Sequence, residues 1–92
     1  MLHIVRDSPF ACRKLELCLQ LAAQGDALLL TQDGVIAACA PTFLPQLQQA
    51  GVPLYVLAED LLARGLRPAM GQVIDMAGFV QLVVEQGSPL RW

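Results

Sequence analysis

Short apolar runs alternate with longer segments of mixed polarity along the chain. The runs are too short for helices and are bounded by turn-forming or charged residues, a pattern typical of strands. The run at residues 27–30 has no polar alternation, which indicates a strand buried on both faces of a parallel sheet. The predicted strands cover residues 2–5, 27–31, 53–57 and 73–75.

The segment after the first strand predicts a helix. Ser8 and Pro9 form a start signal, because a serine hydroxyl caps free amides and proline suits the first helical position. We therefore predict a helix over residues 9 to about 24, ended by Gly25. Cys18 falls at the centre of its apolar face.

Further helical segments follow the second, third and fourth strands. A short helical stretch is expected from Asp33, and a second helix ends at Gly51. Residues 59–64 and 76–86 predict two more helices. Residues 87–92 form a tail that either adds an edge strand or docks on the domain.

Strands joined by helical crossovers of this length pair in parallel with right-handed connections, so that helices cover both faces of the sheet. No change in composition divides the chain. We therefore predict a single domain over residues 1–92. Its expected fold class is α/β, a three-layer α/β/α arrangement on a mostly parallel sheet of four or five strands.

The composition is unusually apolar for so short a chain. Hydrophobic residues make up 55% and charged residues 15%, whereas about 25% charged residues is usual. A domain of this size buries only about 60 to 65% of its unfolded surface. Some apolar surface should remain exposed, which predicts a permanent protein partner.

Charge and cysteine usage exclude several classes of protein. The net charge is −2 and the only basic cluster is Arg13 with Lys14, so direct nucleic-acid binding is not expected. The longest apolar run is too short to span a membrane, and the first residues lack the core of a signal peptide.

Three cysteines without Cys-x-x-Cys spacing predict no disulfide framework and no metal site. No cofactor is expected, and the reducing cytoplasm is the predicted compartment.

Several segments, in order and over nearly the whole chain, match one family of short proteins. They are Met-Leu-His at 1–3, Ser-Pro-Phe at 8–10, Gly-Asp at 25–26, Leu-Leu-Leu at 28–30, Gln-Asp-Gly-Val at 32–35, Tyr-Val-Leu at 55–57, Glu-Asp at 59–60, Ala-Arg-Gly-Leu at 63–66, Ile-Asp at 74–75, Phe-Val at 79–80 and the terminal Trp92. No single segment is specific, but the ordered set resembles the DsrH/TusB family.

The resemblance implies a subunit of a cytoplasmic sulfurtransferase hetero-oligomer that passes persulfide sulfur between proteins. Its implied partners are homologous DsrE/TusD-like and DsrF/TusC-like subunits in a dimer of heterotrimers. The first function it implies is formation of 2-thiouridine at the tRNA wobble position. In that branch the working cysteine belongs to a sister subunit, so this chain is not expected to catalyse alone.

A second branch of the family serves dissimilatory sulfur oxidation, and there a cysteine stands in a Leu-Glu-x-Cys-Leu context. Residues 15–19 read Leu-Glu-Leu-Cys-Leu, so the resemblance makes Cys18 the first candidate sulfur carrier. A buried packing role is the alternative for this thiol. Cys12, near the predicted helix start beside Arg13 and Lys14, is the second candidate, against the same alternative. Cys39, among alanines, is expected to pack.

Three other residues have competing interpretations. His3 is either an acid–base group or a hydrogen-bonded structural histidine. Asp33 follows a strand where open sheets bind ligands, or it serves the turn with Gly34. Trp92, the only tryptophan, is a candidate partner contact or docks on its own domain. A remote alternative for the whole protein is a nucleotide- or flavin-binding module, although residues 6–9 lack phosphate-binding glycines.

Overall fold

The fold is an α/β domain built on one parallel sheet of five strands. The computed structural model describes all residues from 1 to 92. The strand order is β4-β3-β2-β1-β5, and every neighbouring pair is parallel. The strands are β1 Leu2–Val5, β2 Ala27–Leu30, β3 Leu54–Leu57, β4 Gln72–Ile74 and β5 Leu90–Arg91. The predicted fold class is confirmed, and the tail supplies the edge strand β5.

Helical segments connect all consecutive strands. They are α1 Lys14–Leu21, a 3₁₀ helix Gln32–Ala38, a 3₁₀ turn Pro41–Phe43, α2 Leu44–Ala50, α3 Ala58–Arg64 and α4 Met76–Gln86. The longest of them, α4, has 11 residues, and none reaches the length and apolarity that a bilayer crossing requires.

The two faces of the sheet carry two separate apolar clusters. The first cluster joins β1, β2 and β3 to Leu15 and Cys18 of α1, Leu47 of α2 and Leu61 of α3. The second joins the opposite side chains of β1 and β2 to Leu82 of α4. Three crossovers step in one direction from β1 to β4, and right-handedness therefore places their helices on one face. The long return to β5 places α4 alone on the other.

The first helix differs from its prediction at both ends. It begins at Lys14, because the Ser8 hydroxyl accepts from the amide of Phe10 at 3.2 Å and the Ser8 carbonyl accepts from the amide of Ala11 at 3.0 Å. These bonds form a turn before the helix. It ends at Leu21 rather than residue 24, since the Asp26 carboxylate takes the amide of residue 23 at 3.0 Å and draws the chain into another turn.

Asp75 was predicted to end the fourth strand, and it caps α4 instead. Its carboxylate accepts from the amide of Gly78 at 2.9 Å, which satisfies one of the free amides of the first turn. The strand accordingly ends at Ile74.

Gly34 allows the chain after β2 to pack directly on the end of β1. Its amide donates to the carbonyls of Arg6 at 3.0 Å and Thr31 at 2.9 Å. A Cβ atom at this position would overlap the carbonyl oxygen of Val5. The Gln-Asp-Gly segment therefore needs glycine for a close approach of two backbones.

Candidate functional site

A network of hydrogen bonds joins His3 on β1 to the loop before β2 and to the last residue of the chain. His3 Nε2 lies 2.8 Å from Asp26 Oδ2, and the indole Nε1 of Trp92 donates to His3 Nδ1 at 3.2 Å. The Met1 ammonium donates to Asp26 Oδ1 at 3.0 Å. These four residues are the His3 network, and it brings both chain ends together.

Asp26 is the anion at the centre of this network. The amide of Ala23 donates to Asp26 Oδ2 at 3.0 Å. This bond first, then those from His3 and the Met1 ammonium, hold the pKa of Asp26 well below its usual range. Asp26 was not predicted as a site residue, although it stands in the Gly-Asp match at residues 25–26. The β1–β2 register pairs Leu2 with Ala27 and so sets Asp26 beside the chain start.

His3 and Trp92 are both occupied within the domain. His3 is 3% exposed, with both ring nitrogens engaged, as in a structural histidine. Trp92 is half-buried against the first apolar cluster, and its ring centroid lies 6.1 Å from that of His3. The structure therefore docks Trp92 on its own domain, and its role as a partner contact stays a prediction.

Cys18 lies in the first apolar cluster with none of its surface exposed. Burial, and then the negative charge of Asp26, raises the pKa of the Cys18 thiol to about 12. The thiolate needed for sulfur transfer is therefore disfavoured at neutral pH, and no donor can reach it without movement of α1.

Cys12 lies in the turn before α1, at the carboxyl end of β1, and it is partly exposed. Its Sγ donates to Asp7 Oδ2 at 3.9 Å, and Lys14 Nζ donates to the same oxygen at 2.7 Å. Arg13 is paired with Glu16 at 2.9 Å. Both neighbouring cations are thus bonded to carboxylates, and one of these, Asp7, also accepts from the thiol.

Cys39 packs at the end of the 3₁₀ helix. Its Sγ donates to the carbonyl of Val35 at 3.4 Å, and burial raises the pKa of its thiol. All three cysteines are free thiols. No group of three or more His, Cys, Asp or Glu side chains is arranged to hold a metal ion.

Acidic residues at the carboxyl edge of the sheet are engaged in structural bonds. Asp33 Oδ1 accepts from Arg64 Nε at 2.9 Å, which ties the 3₁₀ helix to α3. Asp60 Oδ2 accepts from the amide of Gln32 at 2.6 Å, and Glu59 accepts from the first amide of α4 at 3.1 Å. Asp33 therefore forms an ion pair between two helical segments, and its carboxylate accepts no bond from the backbone amides of the turn at Gly34.

The hollows of the surface do not form a catalytic cleft. A groove of about 250 Å³ at the carboxyl edge carries Arg6 and Arg91 together with Glu59 and Asp60, so its charges are mixed. The hollow beside Cys12 measures about 70 Å³. An open one of about 390 Å³ between α1 and α2 is lined mainly by glutamine and glutamate. The hollow beside Cys12 also contains Glu16, but that carboxylate is paired with Arg13 at 2.9 Å, and the thiol bonds to Asp7 instead.

Comparisons with known proteins place this geometry in a family. The family model described as DsrH like protein matches residues 7–88. Protein TusB of Erwinia tasmaniensis is 45% identical over 98 residues, and Protein TusB of Escherichia coli K12 is 41% identical over 96 residues; each match covers 100% of both chains.

A solved structure shares the fold. The crystal structure of the ychN protein from E. coli aligns with a TM-score of 0.76 at 20% identity and covers 99% of this chain and 97% of that one. At this identity the likeness shows the fold alone. The family match and the full-length relatives show more, and they lead to one conclusion: the chain belongs to the DsrH-like family that includes the TusB proteins.

Proposed function

We propose that this chain is a subunit of a cytoplasmic persulfide-relay hetero-oligomer that serves 2-thiouridine formation at the tRNA wobble position. Its proposed partners are homologous DsrE/TusD-like and DsrF/TusC-like subunits in a dimer of heterotrimers. The full-length relatives named TusB support this branch of the family. The proposed role of the chain is to scaffold the subunit that carries the working cysteine.

The scaffolding proposal rests on the burial and the raised pKa of Cys18. Sulfur passes when a thiolate attacks the outer sulfur of a persulfide: a new S–S bond forms, the old one breaks, and the donor leaves as a thiolate. A residue in this step must be ionised and accessible. Cys18 is fully buried with its pKa raised to about 12, so the observed conformation favours packing over transfer.

Exposed apolar side chains support a partner surface. Met76, Val80 and Val84 recur every four residues on α4 and are 55%, 62% and 73% exposed. Residues at this spacing share one side of a helix. An unpartnered apolar stripe of this kind is typical of a subunit that is covered in its assembly.

The tRNA itself is expected to contact other subunits. The chain has a net charge of −2, and Arg13, Lys14 and Arg64 are each paired with a carboxylate. Arg6 and Arg91 share a groove with Glu59 and Asp60, which oppose their charge. A surface of such mixed charge gains little from counterion release at a phosphate backbone. Any effect of this chain on tRNA would act through the assembly.

The sulfur-oxidation branch remains the second candidate function, because residues 15–19 match its cysteine context. In that function Cys18 would carry the sulfur, and α1 would have to move to expose it. The remote alternative is a nucleotide- or flavin-binding module. The mixed charges of the carboxyl-edge groove do not support it.

A cysteine-free variant separates the two candidates. We expect Cys12→Ser, Cys18→Ala and Cys39→Ser together to restore 2-thiouridine in the tRNA of a host that lacks this gene, at a level close to that of the wild-type chain. The measurement is nucleoside mass spectrometry of purified tRNA, with an empty vector as the negative control. Loss of 2-thiouridine with the variant still assembled would contradict scaffolding, and a gene deletion without any loss would contradict the tRNA function.

A further inference from the structure

The C-terminal tail is held on β1 by few contacts. β5 has two residues, paired as Leu90 with His3 and Arg91 with Ile4. The amide of Trp92 donates to the carbonyl of Ile4 at 2.9 Å, and its indole donates to His3 Nδ1 at 3.2 Å. Leu90 is 43% exposed. The indole and its bond to His3 are therefore a large part of what anchors the tail.

This bond determines the proton position on His3. An indole N–H is a donor only, so His3 Nδ1 must accept and carries no proton. The ring proton of a neutral imidazole then lies on Nε2, which donates to Asp26 Oδ2 at 2.8 Å. The network runs in one direction, from Trp92 through His3 to Asp26.

A second proton on His3 would act on the tail side alone. It would occupy Nδ1, so that an imidazolium N–H and the indole N–H face each other at 3.2 Å as two donors. The bond to Trp92 is then lost, whereas the bond from Nε2 to Asp26 becomes charge-assisted and is retained. The ring stays in place while its contact with Trp92 changes from attraction to repulsion.

Two charged groups lie beside the His3 ring. The carboxylate of Asp26 is bonded to Nε2, and the Met1 ammonium is bonded to the other oxygen of that carboxylate. The network places these groups within hydrogen-bond distance of His3 or of its acidic partner.

Of the other elements packed on β1, α1 brings one titratable group to this region, the buried Cys18 thiol, which is close enough to feel the charge of Asp26. α1, on the same face, has no basic residue in its last turn, and its acidic residue Glu16 lies in the first turn. β2 opposes His3 with Leu28. Arg91 is paired with Ile4 and so points to the opposite face, where α4 packs.

We propose that β5 and Trp92 form a C-terminal latch on β1 that closes on neutral His3 and opens when His3 is protonated. Opening removes the only strand on that side of β1 and exposes its backbone donors and acceptors. An open edge of this kind can pair with a strand of another chain. The latch concerns the isolated domain and is independent of the sulfur-relay proposal.

The chain suits a direct test, because it has one histidine and one tryptophan. The full chain is labelled with ¹⁵N and titrated from about pH 8 to about pH 5, the range in which histidine changes charge. Imidazole nitrogen signals report the tautomer and the protonation of His3. The indole N–H signal and acrylamide quenching of fluorescence report whether Trp92 is docked.

We expect the Nε2–H tautomer at high pH, with Trp92 protected from quenching. On acidification the indole signal should move upfield and quenching should rise, both with the midpoint of the imidazole titration. The His3→Gln variant should show neither change over this range. The proposal is overturned by an Nδ1–H tautomer, by a Trp92 that stays protected while His3 titrates, or by a His3 that stays neutral until the protein unfolds.

Discussion

At the residue scale, burial decides what each cysteine can do. Cys18 has no exposed surface, and its pKa is raised to about 12 by desolvation. Cys12 is partly exposed but faces the carboxylate of Asp7. The Leu-Glu-x-Cys-Leu match at residues 15–19 therefore selects the least accessible of the three thiols.

We expect a thiol reagent at neutral pH to modify Cys12 first, Cys39 more slowly and Cys18 last. The physical reason is that both access and ionisation limit attack by a thiol. The measurement is time-resolved mass mapping of the native chain, and Cys12→Ser should remove the fast phase. Denatured protein, the control, should react at all three positions alike. Fast native modification of Cys18 would contradict its burial.

Asp26 makes stability depend on acid pH. Its pKa is lowered by the Ala23 amide, His3 and the Met1 ammonium. A carboxyl group whose folded pKa is lowered stabilises the fold above its unfolded pKa, about 3.9, and this stabilisation disappears as pH falls through the folded value. The window of loss therefore begins near pH 4 and extends below it.

We expect Asp26→Asn to lower Tm at neutral pH, and the difference from wild type to shrink steadily below about pH 4. Thermal unfolding across pH measures it. Asp33→Asn is the matched control, because that carboxylate is 61% exposed and pairs with a single arginine; its effect on Tm should be smaller. A Tm difference for Asp26→Asn that persists unchanged at strongly acid pH would disprove the account.

At the element scale, the close approach of the 3₁₀ helix to β1 depends on one missing side chain. Gly34 donates its amide to two carbonyls and has no space for a Cβ atom beside the carbonyl of Val5. At Gly51 the backbone is left-handed, with a φ of +68°, but nothing lies within 4 Å of the position that a Cβ atom would take. A substitution at Gly34 therefore tests steric crowding, and one at Gly51 tests backbone strain.

We expect Gly34→Ala to destabilise the domain by about 1 to 3 kcal/mol, as overpacking does. Gly51→Ala, the control, should cost about 1 kcal/mol from its left-handed backbone alone. Denaturant unfolding of both variants gives the comparison. A neutral or stabilised Gly34→Ala would show that β1 and the 3₁₀ helix do not meet as described, because alanine where glycine is not needed stabilises by about 0.4 to 1 kcal/mol.

Local patterns predicted the elements better than the contacts between them. The strands were found because their apolar runs are short and continuous, and α4 because Phe79, Leu82 and Val83 share a face. The start of α1 was wrong because Ser8 and Pro9 satisfy both a helix cap and a turn. The bonds of the Ser8 carbonyl to Ala11 and of its hydroxyl to Phe10 distinguish the two, and neither can be read from the sequence.

The His3 network could not be predicted from local patterns. Its members are separated by 23 residues between His3 and Asp26 and by 89 between His3 and Trp92. Strand order brings them together, and that order was not readable from the sequence. The edge strand β5 was left open for the same reason, since two residues carry no periodicity.

At the scale of the whole molecule, a compact domain still exposes apolar side chains. The radius of gyration is 11.7 Å, close to the about 12 Å expected for a folded chain of this length. Loose packing therefore does not explain the exposure of Met76, Val80 and Val84. One face of the sheet is covered by three helices and the other by α4 alone. A partner subunit packed on α4 would cover these exposed side chains.

The most direct test of the central claim is native mass spectrometry of the chain co-expressed with its DsrE/TusD-like and DsrF/TusC-like neighbours. The account predicts one complex that holds two copies of each of three subunits, with little free chain at micromolar concentration. Recovery of this chain as a stable monomer beside a complex formed by the other two would contradict it.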